Sequence, residues 1–379
     1  MNNQLAPTYQ YPFGDYFLLW YAISNSYSVV DLNFKNILER YLECNTLDTF
    51  FEGIDLEEVN TTKKALTQTL TTYLKGCNIP NIRTEDTPVN LNYAKRVSTK
   101  YYTYNGKTFQ IYFNATAVQN IIHPALAYLE TQSKEAIAII FDIYTAGDRI
   151  YLFKDEKCVV SYPKQEYHKL QGKFITHLLG YIHDAEETDW IGTFHGSTIT
   201  DSNSSILFIG QSGKGKSTLC AILAANGYQL VADDVSPLSS KTANIHINPS
   251  AISIKHGAFN VLEPMIKVFN SLPTIQLHKS KGLIKYVAPA HLKKMHYPCR
   301  QIILVNYQKG ADTILKTLTI AKVLETLIPD SWLSPNPKHA KQFLDWLQTL
   351  ELYELTYSDT KSVLKEVESV FLKNKETLL

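Results

Sequence analysis

Hydrophobic positions along this chain alternate between a spacing of two and a spacing near 3.6, and the switches between these periods divide it into three stretches. Residues 16–30 predict two short strands around a Ser24-Asn25-Ser26 turn. Asp31 then stands in a helix N-cap position ahead of an apolar face at Phe34, Ile37, Leu38, Tyr41 and Leu42. A second such face follows at Leu66, Leu70, Tyr73 and Leu74, and the module closes near the turn-rich Asn78-Ile79-Pro80-Asn81. The polar segment 82–98 has no period and reads as a linker. Beyond it, alternation from Tyr101 to Phe113 around Asn105-Gly106 predicts a hairpin. A helix near 118–130, a strand at 136–143, a hairpin about Asp155-Glu156 and a helix carrying Leu170, Phe174, Leu178, Tyr181 and Ile182 complete the second stretch. In the third, strand and helix patterns alternate: strands at Ser205–Ile209, Gln229–Ala232 and Ile302–Val305, and a last amphipathic helix opened by Asp359 with Val363, Val367 and Val370. Such alternation predicts an α/β fold, a mixed sheet flanked by helices, with a smaller α+β region before it. The expected domains are 1–80, 81–185 and 186–379.

Composition narrows the function class. The chain has 379 residues, 45% hydrophobic and 19% charged, which suits a folded protein of two or three domains and excludes a disordered one. Lysine and arginine number 37 against 36 for aspartate and glutamate, so no global field draws the chain to nucleic acid or an anionic membrane. Any phosphate binding must be local. Five scattered cysteines without a C-x-x-C pair suggest neither a disulfide framework nor a zinc site. The first residues, MNNQLAPTYQ, lack the basic start and apolar core of a secretory signal. A cytoplasmic location, with no nucleic-acid or membrane partner, is the expectation.

The chemistry concentrates after residue 190. Gly210-Gln211-Ser212-Gly213-Lys214-Gly215-Lys216-Ser217 matches the phosphate-binding G-x-x-x-x-G-K-S pattern, with a buried-strand candidate directly before it and Thr218 opening an apolar helix after it. Glycines let such a loop curl and aim N–H groups at phosphate oxygens, which the positive end of the following helix also attracts. Lys216 is placed to reach the β- and γ-phosphates of ATP and Ser217 to bind Mg2+. Lys214 reads either as a phosphate contact or as a solvated lysine. Sixteen residues beyond Ser217, the apolar run Gln229–Ala232 ends in Asp233-Asp234, where a magnesium-binding acid is expected. Successive strand residues face opposite sides, so the two carboxylates need not share a role, unless the strand has ended and the chain turns. A turn cap before Ser236-Pro237 is the competing reading. His195-Gly196 ends another strand-like run, Trp190–Phe194.

Together these elements resemble the catalytic domain of HPr kinase/phosphorylase and the wider group of HPr-kinase-like serine kinases. That group shares a His-Gly pair, the glycine loop, a leucine-rich helix closed by glycine, and a strand ending in Asp-Asp. Here they are His195-Gly196, Gly210 to Ser217, Leu219 through Leu223 to Gly227, and Leu230 to Asp234. The resemblance implies Asp233 as the general base, Asp234 and Ser217 around magnesium, and His195 as a supporting polar group. The family's further magnesium glutamate and its downstream arginine-glycine signature are not placed in this chain, so the resemblance extends neither to phosphorylase activity nor to HPr as acceptor. Asn248 to Lys255, and the late segment Ala340 to Tyr357 with Trp346, look instead like the divergent branch tied to modified-peptide gene clusters. Lys255 reads either as a phosphate contact or as a surface lysine. Lys279, Lys281 and Lys285 form a basic stretch that reads as a solvated loop, or as a cover for nucleotide or an acidic acceptor. Residues 10–77 are similar to small winged-helix domains that hold leader peptides, a structural subdomain or oligomer contact being the alternative. The expected function is an ATP-dependent kinase acting on a serine or threonine of a protein or peptide, such as a leader-bearing precursor, with homo-oligomerisation compatible. A small-molecule hydroxyl kinase and a nucleotide-gated binding module are the alternatives.

Overall fold

The computed structural model describes residues 3–52, 60–80, 89–134, 136–276 and 282–376. Its backbone divides into two units, one of residues 1–84, 319–325 and 333–349 and one of residues 85–318, 326–332 and 350–379.

The first unit is built on a three-stranded antiparallel sheet of Tyr9–Phe13, Tyr16–Tyr21 and Ser26–Asp31, with the middle segment central. The Asp31 carboxylate accepts from the Phe34 N–H at 2.7 Å and so starts the helix Leu32–Glu43. That helix, the short Leu47–Phe51 and the long Asn60–Cys77 close over the sheet through Leu19, Tyr21, Leu38, Leu42, Phe50, Leu70 and Leu74. The strand Tyr9–Phe13 escapes the sequence pattern because Pro12 interrupts it. At the edge of a sheet a proline forfeits no ladder bond, and Tyr9 stacks on Trp20 across the pair at 5.4 Å.

The second unit is a mixed α/β assembly of several sheets. One has the order Ser98–Tyr104, Lys107–Phe113, Ile137–Ala146, Arg149–Lys154, Lys157–Pro163. Both predicted hairpins are present. Asn105 and Gly106 have φ of 48° and 78°, and Asp155 and Glu156 have 46° and 68°, the all-positive pairs that match strand twist in a two-residue turn. Lys107–Phe113 and Ile137–Ala146 are parallel and are joined through the helix Thr116–Leu126. The helix Tyr167–His183 buries Leu170, Phe174 and Leu178 against the same core. The described end of the polar segment 82–98 is anchored rather than loose: the Arg96 guanidinium donates to both oxygens of the buried Asp142 at 2.6 and 2.8 Å. Residues 81–88 lie outside those described.

The sheet that positions the site has six strands in the order Gln229–Ala232, Ser197–Thr200, Ser205–Ile209, Cys299–Tyr307, Glu351–Tyr357, Ile314–Thr317. Ser205–Ile209 runs parallel to Cys299–Tyr307, which runs parallel to Glu351–Tyr357. Lys216–Ala225 and Thr360–Glu376 cover it, joining Phe208, Leu219, Leu223, Ile303, Leu355, Val363, Val367 and Val370 in one core. The Asp359 carboxylate accepts from the Ser362 N–H at 2.6 Å, as its place before the last helix predicts. Between the strand that leads into the glycine loop and the strand that leads into the aspartate pair lies Ser197–Thr200, antiparallel to both and unforeseen in the hydrophobic pattern. Its four residues are all buried although three are polar. Beside it stands a smaller antiparallel set, Trp190–Phe194, Ser236–Ser239, Ile245–His246 and His296–Tyr297. A third set contains Ile252–Lys255, Leu283–Val287 and Ile275–Gln276. Among the described residues no helix is long and apolar enough to cross a membrane, and no disulfide joins the five cysteines, all of them described.

Candidate functional site

The strand Ser205–Ile209 is buried at every position and delivers the chain to Gly210. Two constraints make glycine necessary there. Its φ is +145°, and a Cβ would stand 2.9 Å from the Val305 carbonyl oxygen of the neighbouring strand. Gln211, Ser212, Gly213 and Lys214 are exposed, Gly215 immediately precedes the helix Lys216–Ala225, and Ser217 and Thr218 lie half-buried on its first turn. Lys214 reaches away from the loop to Asn306 Oδ1 at 3.2 Å.

Lys216 is only 8% exposed. Its ammonium donates to the carbonyls of Gly210 at 2.5 Å and Gln211 at 3.5 Å, and among the described residues no carboxylate lies within ion-pair distance of it. Burial pushes its pKa below the ordinary lysine value, with the charges of Asp234 and Asp233 opposing that shift. A buried cation that only carbonyl dipoles satisfy is matched to an anion.

The strand Gln229–Ala232 ends one residue before the acid pair, and there the two aspartates part. Asp233 is 2% exposed. Its Oδ1 accepts from the hydroxyls of Ser197 at 2.6 Å and Ser217 at 2.9 Å. Its Oδ2 accepts from the N–H of Ser253 at 3.0 Å and the hydroxyl of the same residue at 3.4 Å. Burial raises its pKa and the neighbouring charge of Asp234 adds to the rise, while these hydrogen bonds work the other way. Asp234 has φ of +67°, which turns its side chain out of the strand plane to 70% exposure. Its Oδ1 lies 3.3 Å from His195 Nδ1. The His195 N–H is held by Ser331 Oγ at 3.0 Å. Gly196, next in the chain, packs so close to the loop strand that a Cβ would meet the Phe208 carbonyl oxygen at 2.7 Å. The His-Gly pair therefore joins a polar group to the backbone approach that sets its position.

Of these groups, His195, Ser212, Asp233 and Asp234 line one cavity of about 880 Å³, together with Asn248, Ser253, Lys255, Tyr286 and Asp330 and an apolar wall from Ile121, Leu126, Phe174 and Ile175. A separate depression of about 570 Å³ in the first unit is lined, among the described residues, by Leu47, Phe51, Lys63, Lys64, Thr67, Gln68, Thr71, Thr72 and Lys75.

The structure thus brings His195, Ser212, Lys216, Ser217, Asp233 and Asp234 together, and Lys255 with them. It removes Lys285 from the candidates. That lysine is 7% exposed, donates to the Phe269 carbonyl at 2.8 Å and lies over the Phe259 and Phe269 rings, so it holds a turn together instead of facing solvent or a ligand. Lys279 and Lys281 lie outside the described residues. Sequence reasoning missed Ser197, Ser253, Tyr286 and Asp330. Only Ser253 carried a readable signal, as a polar residue between Ile252 and Ile254 in a strand.

No protein-family model matches the chain, and no curated protein matches it. Among solved structures it is distantly similar to that of the Hpr(Ser) kinase/phosphatase from Coxiella burnetii, at 14% sequence identity, covering 49% of this chain and 97% of that one, with a TM-score of 0.24.

Proposed function

We propose that this chain is an ATP-dependent kinase that transfers a phosphoryl group to a serine or threonine hydroxyl of a protein or peptide. The observation that carries the reading is the buried Lys216 ammonium, unmatched among the described residues by any carboxylate in ion-pair range, at the turn between a buried strand and a helix whose second residue is hydrogen-bonded to a buried aspartate. The donor set fits a magnesium nucleotide: the loop amides and Lys216 would hold phosphates, and Ser217 with Asp233 would hold Mg2+, which prefers oxygen ligands.

Bound Mg-ATP supplies the phosphoryl group and the charge that polarises it. The rest falls to the chain's own side chains. An acceptor hydroxyl in the cavity loses its proton to a carboxylate as its oxygen bonds to phosphorus, the bond to the bridging oxygen breaks, and ADP leaves. Sequence resemblance implies Asp233 for this proton and Asp234 for metal. The geometry supports the opposite division. Asp233 has both oxygens engaged and touches the Ser217 hydroxyl, whereas Asp234 stands exposed in the cavity with His195 beside it. His195, within reach of the Asp234 carboxylate, can orient it and share the proton it takes up.

The test is incubation with γ-labelled ATP, Mg2+ and two separate pools, one of serine-containing peptides and one of sugars, nucleosides and polyols. Label should appear in the peptide pool. Label confined to the small hydroxyl compounds would make this a small-molecule kinase. Release as free phosphate alone, or no turnover despite tight nucleotide binding, would make it a nucleotide-gated module and end the kinase reading.

A further inference from the structure

The short strand Ile252–Lys255 joins the two halves of the site. Ile252 and Ile254 are 1% and 0% exposed and enter the core, so Ser253 and Lys255 share the opposite face, roughly 7 Å apart at the rise of a strand. Ser253 secures Asp233 through its N–H and hydroxyl. Lys255 extends from the same face to the glycine loop, where its ammonium donates to Ser212 Oγ at 3.2 Å. The pairing of Ser253 with Tyr286 and of Lys255 with Ile284 on the next strand holds this register, and both partners line the cavity.

Three observations set Lys255 apart from an ordinary surface lysine. Its bond to Ser212 spans 43 positions of sequence, so the sheet brings it to the loop. No carboxylate lies within ion-pair distance of it among the described residues, although Asp234 and Asp330 line the same cavity. And Ser212 is the one loop residue between Gly210 and Thr218 that also lines that cavity, so Lys255 meets the loop where Asp234 and His195 also open.

We propose that Lys255 is a second phosphate-binding cation of the site, which leaves Ser212 for the terminal phosphate of a bound nucleoside triphosphate and so lets the site distinguish a triphosphate from a diphosphate. The proposal rests on the nucleotide reading above and adds a residue and a specificity to it. Lys216 and the loop amides would be common to both nucleotides. Lys255 would engage only the group to be transferred.

The experiment is equilibrium binding of the β,γ-imido analogue of ATP and of ADP, each with Mg2+, to the full chain and to Lys255→Met and Lys255→Arg. Methionine keeps most of the aliphatic stem, and Lys255 is exposed, so both variants should fold; their far-ultraviolet spectra and thermal midpoints check this. A charged hydrogen bond of ordinary strength corresponds to a loss of roughly ten- to a hundred-fold for the triphosphate analogue in Lys255→Met. ADP affinity should stay within about twofold, and arginine should restore most of the difference. Equal losses for both nucleotides, or none for either, would overturn the proposal. Binding of neither nucleotide by the unaltered chain would overturn the nucleotide reading itself, a result distinguishable from failure of Lys255 alone.

Discussion

The division of labour between the two aspartates can be resolved by replacing each with asparagine and measuring nucleotide binding and phosphoryl transfer separately. At Asp233 the structure permits the change. An asparagine turned so that its carbonyl accepts from Ser253 N–H presents its amide to the hydroxyls of Ser197 and Ser217, which can rotate to accept. The folded carboxyl has a raised pKa. Its favourable contribution to folding is therefore present below the ordinary carboxylate range and lost as pH rises through the folded value, above which burial of the ionised group is a cost. Removing the charge should leave the thermal midpoint of the nucleotide-free protein unchanged or raise it. What Asp233→Asn loses is the negative charge behind Ser217. If that charge helps to hold magnesium, the enhancement of ATP affinity by Mg2+ over EDTA should fall roughly ten- to a hundred-fold, the worth of a charge-assisted bond. At Asp234 the backbone is left-handed, a conformation that asparagine also tolerates, and the side chain is 70% exposed. Asp234→Asn should keep magnesium-dependent affinity within about threefold and lose about 10²–10⁴ in single-turnover transfer, the range for a general base. Titration with a fluorescent ATP derivative, with and without Mg2+, reads the first quantity; label transfer to the peptide pool reads the second. A reversed pattern, with magnesium dependence lost in Asp234→Asn and kept in Asp233→Asn, would return the roles to those implied by the sequence resemblance.

Two further outcomes follow from the fold. Burial, with the charges of Lys173 and Lys154, lowers the His177 pKa to about 4, and burial, with His183 and His296, lowers that of His246 to about 3; because these folded values lie below the unfolded one, the unfolded chain takes up protons first. The thermal midpoint should therefore fall between pH 6.5 and pH 4 and fall less in His177→Gln/His246→Asn; an equal slope in that double variant would refute the assignment. Gly196→Ala should destabilise the chain by about 1–3 kcal/mol, since its Cβ meets a backbone carbonyl that cannot move without the loop strand; urea unfolding as stable as that of the parent would contradict this packing.

What the sequence could and could not show follows from how far each interaction reaches along the chain. The hairpin at Asn105-Gly106, the cap at Asp31 and the helix opened by Asp359 are contacts between near neighbours, and each is present where the pattern placed it. Part of the site was legible for a related reason. Gly210 to Ser217 stand out as a glycine-rich loop between a strand and a helix and Asp233 as an acid closing an apolar run, whereas His195 and Lys255 gain weight only from the family resemblance. In the structure His195, Gly210 and Asp233 each follow the last residue of a strand and Lys255 closes one. Which strands are neighbours was not legible. Ser197–Thr200, four residues with three polar side chains, has too little apolar content to read as a strand, yet its place between the loop strand and the aspartate strand puts Ser197 on Asp233. The sequence left the acid pair two geometries, alternation along a strand or a turn after the strand has ended, and the structure shows the turn. Alternation along a strand would have turned the two carboxylates to opposite faces, but the strand ends at Ala232, and the parting comes from the left-handed turn at Asp234. That turn buries the first carboxylate among three serines and exposes the second beside a histidine, so the different surroundings of two adjacent identical residues rest on a single backbone angle and on partners 16 to 39 positions away.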